Sequence, residues 1–328
     1  MTAKPKIAAF GELLIRIQAT ANNLINGESL IYPGGSEANV LYALAQYGHA
    51  TRYISAAPDN QLTKEILTLF HNVGTDTSHV ILGGDRLGSY YLLSANGLSN
   101  GEVIYDRKYS SFSELKTGSI DWGAYLKDCT WLHWSALTPA LSEELALLME
   151  ECLQQAKKMK IHISVDLNYR SKLWQYGKTP LQVMPDLVQY CDVIMGNIWA
   201  ANKMLGTSIS DDLTRATPPT DYFHFAKQVA KEIFDQYPTC KHIANTFRFM
   251  DTANHNLLYG SYHNRQYAAL SDILETHEII DRIGSGDAFM AGLIHALQFS
   301  EDPETIIQTA LQFGFDKLFV AGDFLKKR

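Results

Sequence analysis

Short apolar stretches recur along the second half of this chain with helix-patterned stretches between them, and that alternation leaves few folds open. Trp131 to Ser135, Ile161 to Asp166, Val193 to Met195 and His242 to Thr246 are apolar runs too short for a helix. Ser142 to Met159 and Tyr222 to Tyr237, which fall between them, read as helices. Strands alternating with helices predict a mostly parallel sheet covered on both faces, because parallel neighbours need a crossover connection. The first part of the chain reads the same way. Ile7 to Phe10 and Arg52 to Ala56 are strand-like, Ala38 to Tyr47 is a helix stopped by Gly48, and Glu65 to Phe70 is a helix closed at Val73-Gly74. Late in the chain, Asn256 to Ala268 is strand-like and Asp287 to Phe299 is helical.

Between Leu87 and Asp106 the pattern changes. Aromatic and β-branched residues alternate around a turn at Asn96 to Gly101, which predicts an antiparallel hairpin. The expectation is one doubly wound α/β domain over residues 1–328, carrying a small β lid built from excursions at about 11–33 and 88–112. No repeat, low-complexity tract or linker interrupts it, and Gly206 to Asp221 is the one loose stretch. Ligands of such sheets bind at the carboxyl ends of the strands, so the loops there are where chemistry is sought.

A formal net charge of -7 repels phosphate backbones and argues against a nucleic-acid partner. Cys129, Cys152, Cys191 and Cys240 form no C-x-x-C pair and read as buried free thiols. Met1 to Lys6 is polar and runs directly into the first strand, and no apolar run approaches the ~18 residues of a membrane span. The expectation is a cytoplasmic protein with no membrane partner.

The segment richest in chemistry is Asp281-Arg-Ile-Gly284-Ser285-Gly286-Asp287, followed by a helix with Phe289, Leu293, Ile294 and Leu297 on one face. Small residues ahead of a helix leave backbone N–H groups uncovered at the positive end of its dipole, where phosphate or a developing anion binds. The plainer alternative is that Asp287 caps the helix. A dinucleotide-binding G-x-G-x-x-G is excluded by Phe289, and a Walker A loop at Gly83 to Gly88 by Ser89 where lysine is required. Pro33-Gly34-Gly35-Ser36-Glu37-Ala38-Asn39 also enters a helix, and its paired glycines allow a hydroxyl to approach the backbone, unless the segment is an ordinary turn. Asp166-Leu-Asn168-Tyr-Arg170 directly follows a strand, which aims Asn168 and Arg170 into the ligand crevice. His133, between Trp131 and Trp134, reads as packed core.

In this order, G-G-x-x-A-N at 34–39, D-x-N at 166–168 and D-x-x-G-x-G-D-x-F at 281–289 resemble the ribokinase-like (PfkB) carbohydrate kinases over nearly the whole chain. The nearer resemblance is to the bacterial 2-keto-3-deoxygluconate kinases, through Gly83 to Tyr90, Tyr105-Asp-Arg107, Asp166 to Arg170 with Leu173-Trp174, and Gly322-Asp-Phe. The resemblance implies transfer of the ATP γ-phosphoryl group to the 6-hydroxyl of a keto-acid sugar, with Asp287 as base. Gly284, Ser285 and Gly286 would hold the transferring group by backbone N–H. Gly34, Gly35, Asn39, Tyr90, Tyr105, Arg107 and Arg170 would meet the sugar, where arginine suits its carboxylate. Asn168, Asn197, Thr246 and Arg248 would lie on the nucleotide side. Mg²⁺ is implied with ATP, a monovalent cation is admitted, and a homodimer through the lid is a family expectation. Packing of the lid is the alternative role for Tyr90 and Tyr105. Other readings are a neutral-sugar kinase, such as a fructokinase, and a kinase-derived sugar-acid binding protein with poor turnover.

Two positions depart from the family pattern. Asn197-Ile-Trp-Ala200 has alanine where Asn-x-x-Glu is usual, leaving no metal ligand assigned; Glu37, Asp166 or Asp281 could compensate. Arg248 stands where a glycine is usual, and Phe313 to Val320 matches the adenine-lining helix poorly.

Overall fold

The structure, a computed structural model, describes residues 6–93, 102–252 and 254–327. Its elements in chain order begin β1 (Lys6–Phe10), β2 (Leu14–Ala19), α1 (Ala21–Ile25), β3 (Leu30–Gly34), α2 (Ser36–Gln46), β4 (Ala50–Ala57), α3 (Gln61–Asn72) and β5 (Thr75–Leu82). There follow β6 (Gly88–Leu93), β7 (Glu102–Asp106), α4 (Trp122–Tyr125), β8 (Cys129–Ser135), α5 (Glu143–Lys158), β9 (His162–Asp166), α6 (Pro180–Val188), β10 (Val193–Met195) and α7 (Ile198–Leu205). The last are α8 (Pro219–Gln236), β11 (His242–Phe249), β12 (Asn256–Asn264), β13 (Ala268–Leu270), β14 (Leu274–Thr276), α9 (Ser285–Leu297) and α10 (Pro303–Asp316).

The main sheet runs β13-β12-β11-β10-β9-β8-β1-β4-β5, with β14 paired to β12. It is parallel from β11 to β5 and antiparallel beyond β11, so the architecture is a mixed α/β sandwich with a mostly parallel centre. Strand order reverses at β1, between β8 and β4, the point where open α/β sheets form their ligand crevice. β1 shows why the sheet is covered twice. Ala8 and Phe10 pack into one core and Ile7 and Ala9 into the other, as period-two alternation demands. On the first side, α5 buries Leu145, Leu148, Met149 and Cys152 along one stripe, each large side chain contributing about 1.5–3 kcal/mol of burial. The four cysteines are free and buried. Among the described residues no helix is long and apolar enough to cross a membrane.

A separate four-stranded sheet, β3-β2-β6-β7, stands apart from the main one. Its register aligns Tyr32, Arg16, Tyr90 and Tyr105 across the strands, and one residue along, Ile31, Ile17, Tyr91 and Ile104. Alternation puts these two rows on opposite faces. The turn expected at Asn96 to Gly101 lies outside the described residues.

Several expected boundaries move. α3 starts earlier than Glu65 because the Asn60 side chain accepts the Thr63 N–H and caps it. The strand expected through Ala268 breaks into β12 and β13, since Asn264 Oδ1 accepts the N–H groups of Gln266 and Tyr267 in a turn. α9 begins at Ser285 with Gly284 as its N-cap, so Asp287 lies inside the first turn and does not cap it. The stretch Phe313 to Val320 is the end of α10 followed by a 3₁₀ turn at Lys317–Phe319.

Candidate active site

Two helices begin at the crevice, and both begin with a glycine in a conformation closed to other residues. Gly35 precedes α2 with φ 133°, and a Cβ there would lie 2.2 Å from the Glu12 carbonyl oxygen. Gly284 precedes α9 with φ 81°, and its Cβ would lie 2.2 Å from the Asp323 carbonyl oxygen. α2 and α9 pack against each other, which aims the first turn of one at that of the other. Ser36 Oγ donates to Asp287 Oδ1 at 2.8 Å and Asn39 Nδ2 to Asp287 Oδ2 at 2.6 Å. Asn168 Nδ2 donates to Ser36 Oγ at 3.2 Å, tying β9 into the same network. The carboxylate is thus fixed in direction, at the positive end of its own helix.

Asp287 opens onto a cavity of about 470 Å³. Every residue given a catalytic, sugar-side or nucleotide-side role from the sequence lines it except Gly34, whose Cα instead faces the Asp323 carboxylate. Tyr90 and Tyr105 form the wall given by the small sheet, their rings 6.3 Å apart. Tyr90 also donates from its hydroxyl to Asp323 Oδ2 at 3.1 Å. Asn197, Trp199, Ala200, Thr246 and Arg248, from α7 and β11 of the main body and the turn before α7, line the cavity as well. Arg248 Nη1 donates to Ser285 Oγ at 3.2 Å, so its guanidinium sits beside the loop that precedes α9.

Three expectations need correcting in detail. Arg107 reaches the cavity, but its Nε is paired with Glu12 Oε2 at 2.5 Å and both side chains are buried, so it is not a cation held in reserve for a ligand. Asn197 caps α7 through the Ala200 N–H at 2.8 Å while lining the cavity. The Ser285 N–H donates to the Arg282 carbonyl at 3.3 Å, which commits one of the three backbone donors to the loop itself.

The model of the pfkB family carbohydrate kinases matches residues 4–230. The chain belongs to that family. Among solved structures it is similar to the 2-dehydro-3-deoxygluconokinase of Thermotoga maritima, at 30% identity and a TM-score of 0.88 over 99% of this chain and 96% of that one. It is 32% identical to the 2-dehydro-3-deoxygalactonokinase of Haloferax volcanii over 53% of this chain, and spans about half (54%) of that relative's length. It is 24% identical to the 2-dehydro-3-deoxygluconokinase of Bacillus subtilis over 96% of this chain and 90% of that protein.

The charges of this pfkB-family site divide sharply. Asp287 is raised above the usual carboxylate range by burial, against the pull of its Asn39 and Ser36 hydrogen bonds. Asp166 is raised to about 7 by burial and by the nearby Asp287. Glu37, held by Ser135 N and Oγ at 2.8 and 2.6 Å, is raised to about 7 by burial. Arg170 lies in the field of Asp287 and Asp166 and Arg107 in that of Glu37, and burial outweighs them. Of the three considered as compensating for Ala200, Asp166 lines the cavity, Glu37 is bonded to the end of β8, and Asp281 is turned away behind the loop. A divalent cation beside Asp166 would add positive charge there; the cavity also receives the side chains of Arg107, paired with Glu12, and of Arg170, Arg248 and Arg282.

Ser36, Asp323, Arg282 and Trp199 also line the cavity and were not read as site residues from the sequence. Ser36 and Arg282 sit inside motifs that point to the site, Asp323 lies in Gly322-Asp-Phe and Trp199 in Asn197-Ile-Trp-Ala200, so a signal existed for each. His133 is core, as expected: it is fully buried, bonds Ser164 Oγ at 3.0 Å, and burial pushes its pKa down to about 3. His255, Glu275 and His277 bring ligand atoms within 4.8 Å of one another. The Asp251 N–H donates to His255 Nδ1 at 3.0 Å, which leaves the proton on Nε2, facing Glu275 at 2.9 Å. That tautomer is one of a hydrogen-bonded histidine, not of a metal ligand.

Proposed function

We propose that the protein transfers the γ-phosphoryl group of ATP to the primary hydroxyl of a 2-keto-3-deoxy sugar acid, with 2-keto-3-deoxygluconate as the first candidate and its 6-phosphate as product. The observation that carries this reading is the Asp287 carboxylate. It is buried, faces the cavity, and is held by Ser36 and Asn39 at the N-terminus of α9. As the sugar oxygen forms its bond to phosphorus and the bond to the ADP oxygen breaks, Asp287 takes the hydroxyl proton and later releases it to water. Its raised pKa makes it a better proton acceptor than an exposed aspartate. The backbone N–H groups of Gly284 and Gly286, the α9 dipole and Arg248 would offset the charge of the transferring group. Magnesium, when bound with ATP, would supply further neutralising charge, with Asp166 as the side chain best placed to hold its water. Tyr90, Tyr105 and Arg170 would grip the sugar, and the small sheet would act as a lid over it. The exposed Ile31 and Ile104 on its far face fit the expected homodimer.

The Glu12–Arg107 pair favours a second reading, a kinase of neutral sugars, because it leaves Arg170 as the more available cation for a carboxylate. ATP turnover with 2-keto-3-deoxygluconate, its galactonate epimer and fructose separates the readings. The first expects the highest kcat/KM with a keto acid, and a rise in its KM of about 10-fold in Arg170→Ala, an exposed charge contact. Preference for fructose overturns it. No turnover with any sugar, together with binding of the acid, would leave a binding protein.

A further inference from the structure

Behind the loop that carries Gly284 to Gly286 lies a second charged cluster, almost wholly buried, with Asp323 at its edge on the cavity. Lys317 is fully buried, and its Nζ donates to the carbonyl oxygens of Asp281 at 3.2 Å and Val320 at 2.9 Å. The Asp281 carboxylate accepts from the N–H groups of Ile283 at 3.0 Å and Gly322 at 3.1 Å and pairs with Arg16. Arg16 lies 3.0 Å from Asp323 as well. Backbone N–H groups of Ile280 and Asp281 donate to the Leu318 carbonyl at 2.8 and 3.2 Å. The Asp323 carbonyl packs directly on Gly284. The loop therefore rests on the turn 317–323, and the ammonium stands between them.

Converging carbonyl oxygens flanked by carboxylates make the kind of nest in which hard cations bind. Here the chain's own ammonium occupies it, so the nest does not fit a free ion. We infer that Lys317 is a built-in cation that positions the Gly284–Gly286 loop, in the place a bound monovalent ion would otherwise take. Two carboxylates, Asp281 and Asp323, face two cations, Arg16 and Lys317, and the cluster balances without an ion from solution. Removing the ammonium leaves one buried negative charge in excess and an oxygen-lined space of ammonium size. Lys317 is a positioning residue on this account, acting through the loop; the inference rests on the phosphotransferase reading for its rate test alone.

The parent protein is assayed in chlorides of K⁺, NH₄⁺, Na⁺ and choline at equal ionic strength, and its kcat is expected to be the same in all four. Lys317→Ala is expected to lose about 10²-fold in kcat in choline, as for a misplaced site, and to recover part of it saturably with K⁺ or NH₄⁺. Its melting temperature should rise with K⁺ or NH₄⁺ over Na⁺, while that of the parent stays constant. Lys317→Met, which fills the space with methylenes, should respond to no cation. Several-fold stimulation of the parent by K⁺ overturns the inference, and that measurement needs no variant to fold. Full activity of Lys317→Ala, or a loss that neither ion reverses in rate or melting, overturns it too. A parent inactive on every sugar would overturn the functional reading alone, and the melting comparison would still decide the role of Lys317.

Discussion

The two faces of the loop from Asp281 to Asp287 hold the same kind of side chain in opposite circumstances. Behind it, Asp281 accepts from two backbone N–H groups and pairs with Arg16, and Lys317 stands close by. In front, Asp287 has two neutral donors, Ser36 and Asn39, and a second buried carboxylate, Asp166, in its field. Burial is common to both, so burial alone does not make an aspartate reactive. What differs is whether a cation is paired with it directly. Asp281 is scaffold because it is ion-paired; Asp287 can move a proton because it is held by neutral donors, with Arg170 and Lys317 acting on it only through their fields.

The comparison breaks if the two aspartates respond alike to the same substitution. Asp287→Asn keeps shape and hydrogen bonding and should lower kcat by roughly 10²–10⁴-fold, with little change in thermal stability; unchanged kcat would return Asp287 to a structural part. Asp281→Asn removes one of the two buried carboxylates paired with Arg16 and should cost up to about 3–5 kcal/mol in urea unfolding. A variant as stable as the parent would mean that the rear cluster is not held by that pair.

Asp166 sharpens the picture through pH. Its folded pKa of about 7 lies above the roughly 3.9 of an unfolded aspartate. The folded state therefore holds a proton that the unfolded chain has lost, and the associated stability is present below pH ~4 and disappears as pH rises through about 7. Asp166→Asn removes that loss. Urea titrations at pH 5 and 8 should find the variant gaining on the parent as pH rises, by about 1–3 kcal/mol at pH 8, while activity falls. Equal slopes would show that Asp166 is already neutralised.

The smallest effect concerns Ala200, which lines the cavity. Ala200→Glu adds a carboxylate there and should lower the free Mg²⁺ needed for half-maximal rate by about 2–5-fold, if outer-shell waters are its target. Superimposable Mg²⁺ titrations of parent and variant would place position 200 out of reach of the metal.

The front of the loop was legible in the sequence and the back was not, for a physical reason. Gly34-Gly35 and Gly284-Ser-Gly286 mark helix entries by local rules, and strands such as β8 and β9 declare themselves by composition. Arg16 and Lys317 carry charges that any local reading places on the surface, since only partners distant in the chain make their burial tolerable. β2 is part of the same problem, because a buried arginine interrupts its apolar pattern. α10 is different: Asp302 ahead of Pro303, accepting from the Thr305 N–H, is a start signal of a purely local kind. Helix entry at Asp287 was misplaced because Ser285 and Gly286 look like loop until their tertiary contacts are known.

Arg16 and Asp281 are separated by 265 positions, and Ser36 and Asp287 by 251. Loop closure over such distances is a late and entropically costly event. During refolding, secondary structure and both hydrophobic cores can therefore form while the catalytic carboxylate still lacks its donors and the rear ion cluster is still open. Regain of activity should trail the recovery of helical signal, and a fragment missing either partner segment would be folded in part and yet chemically silent.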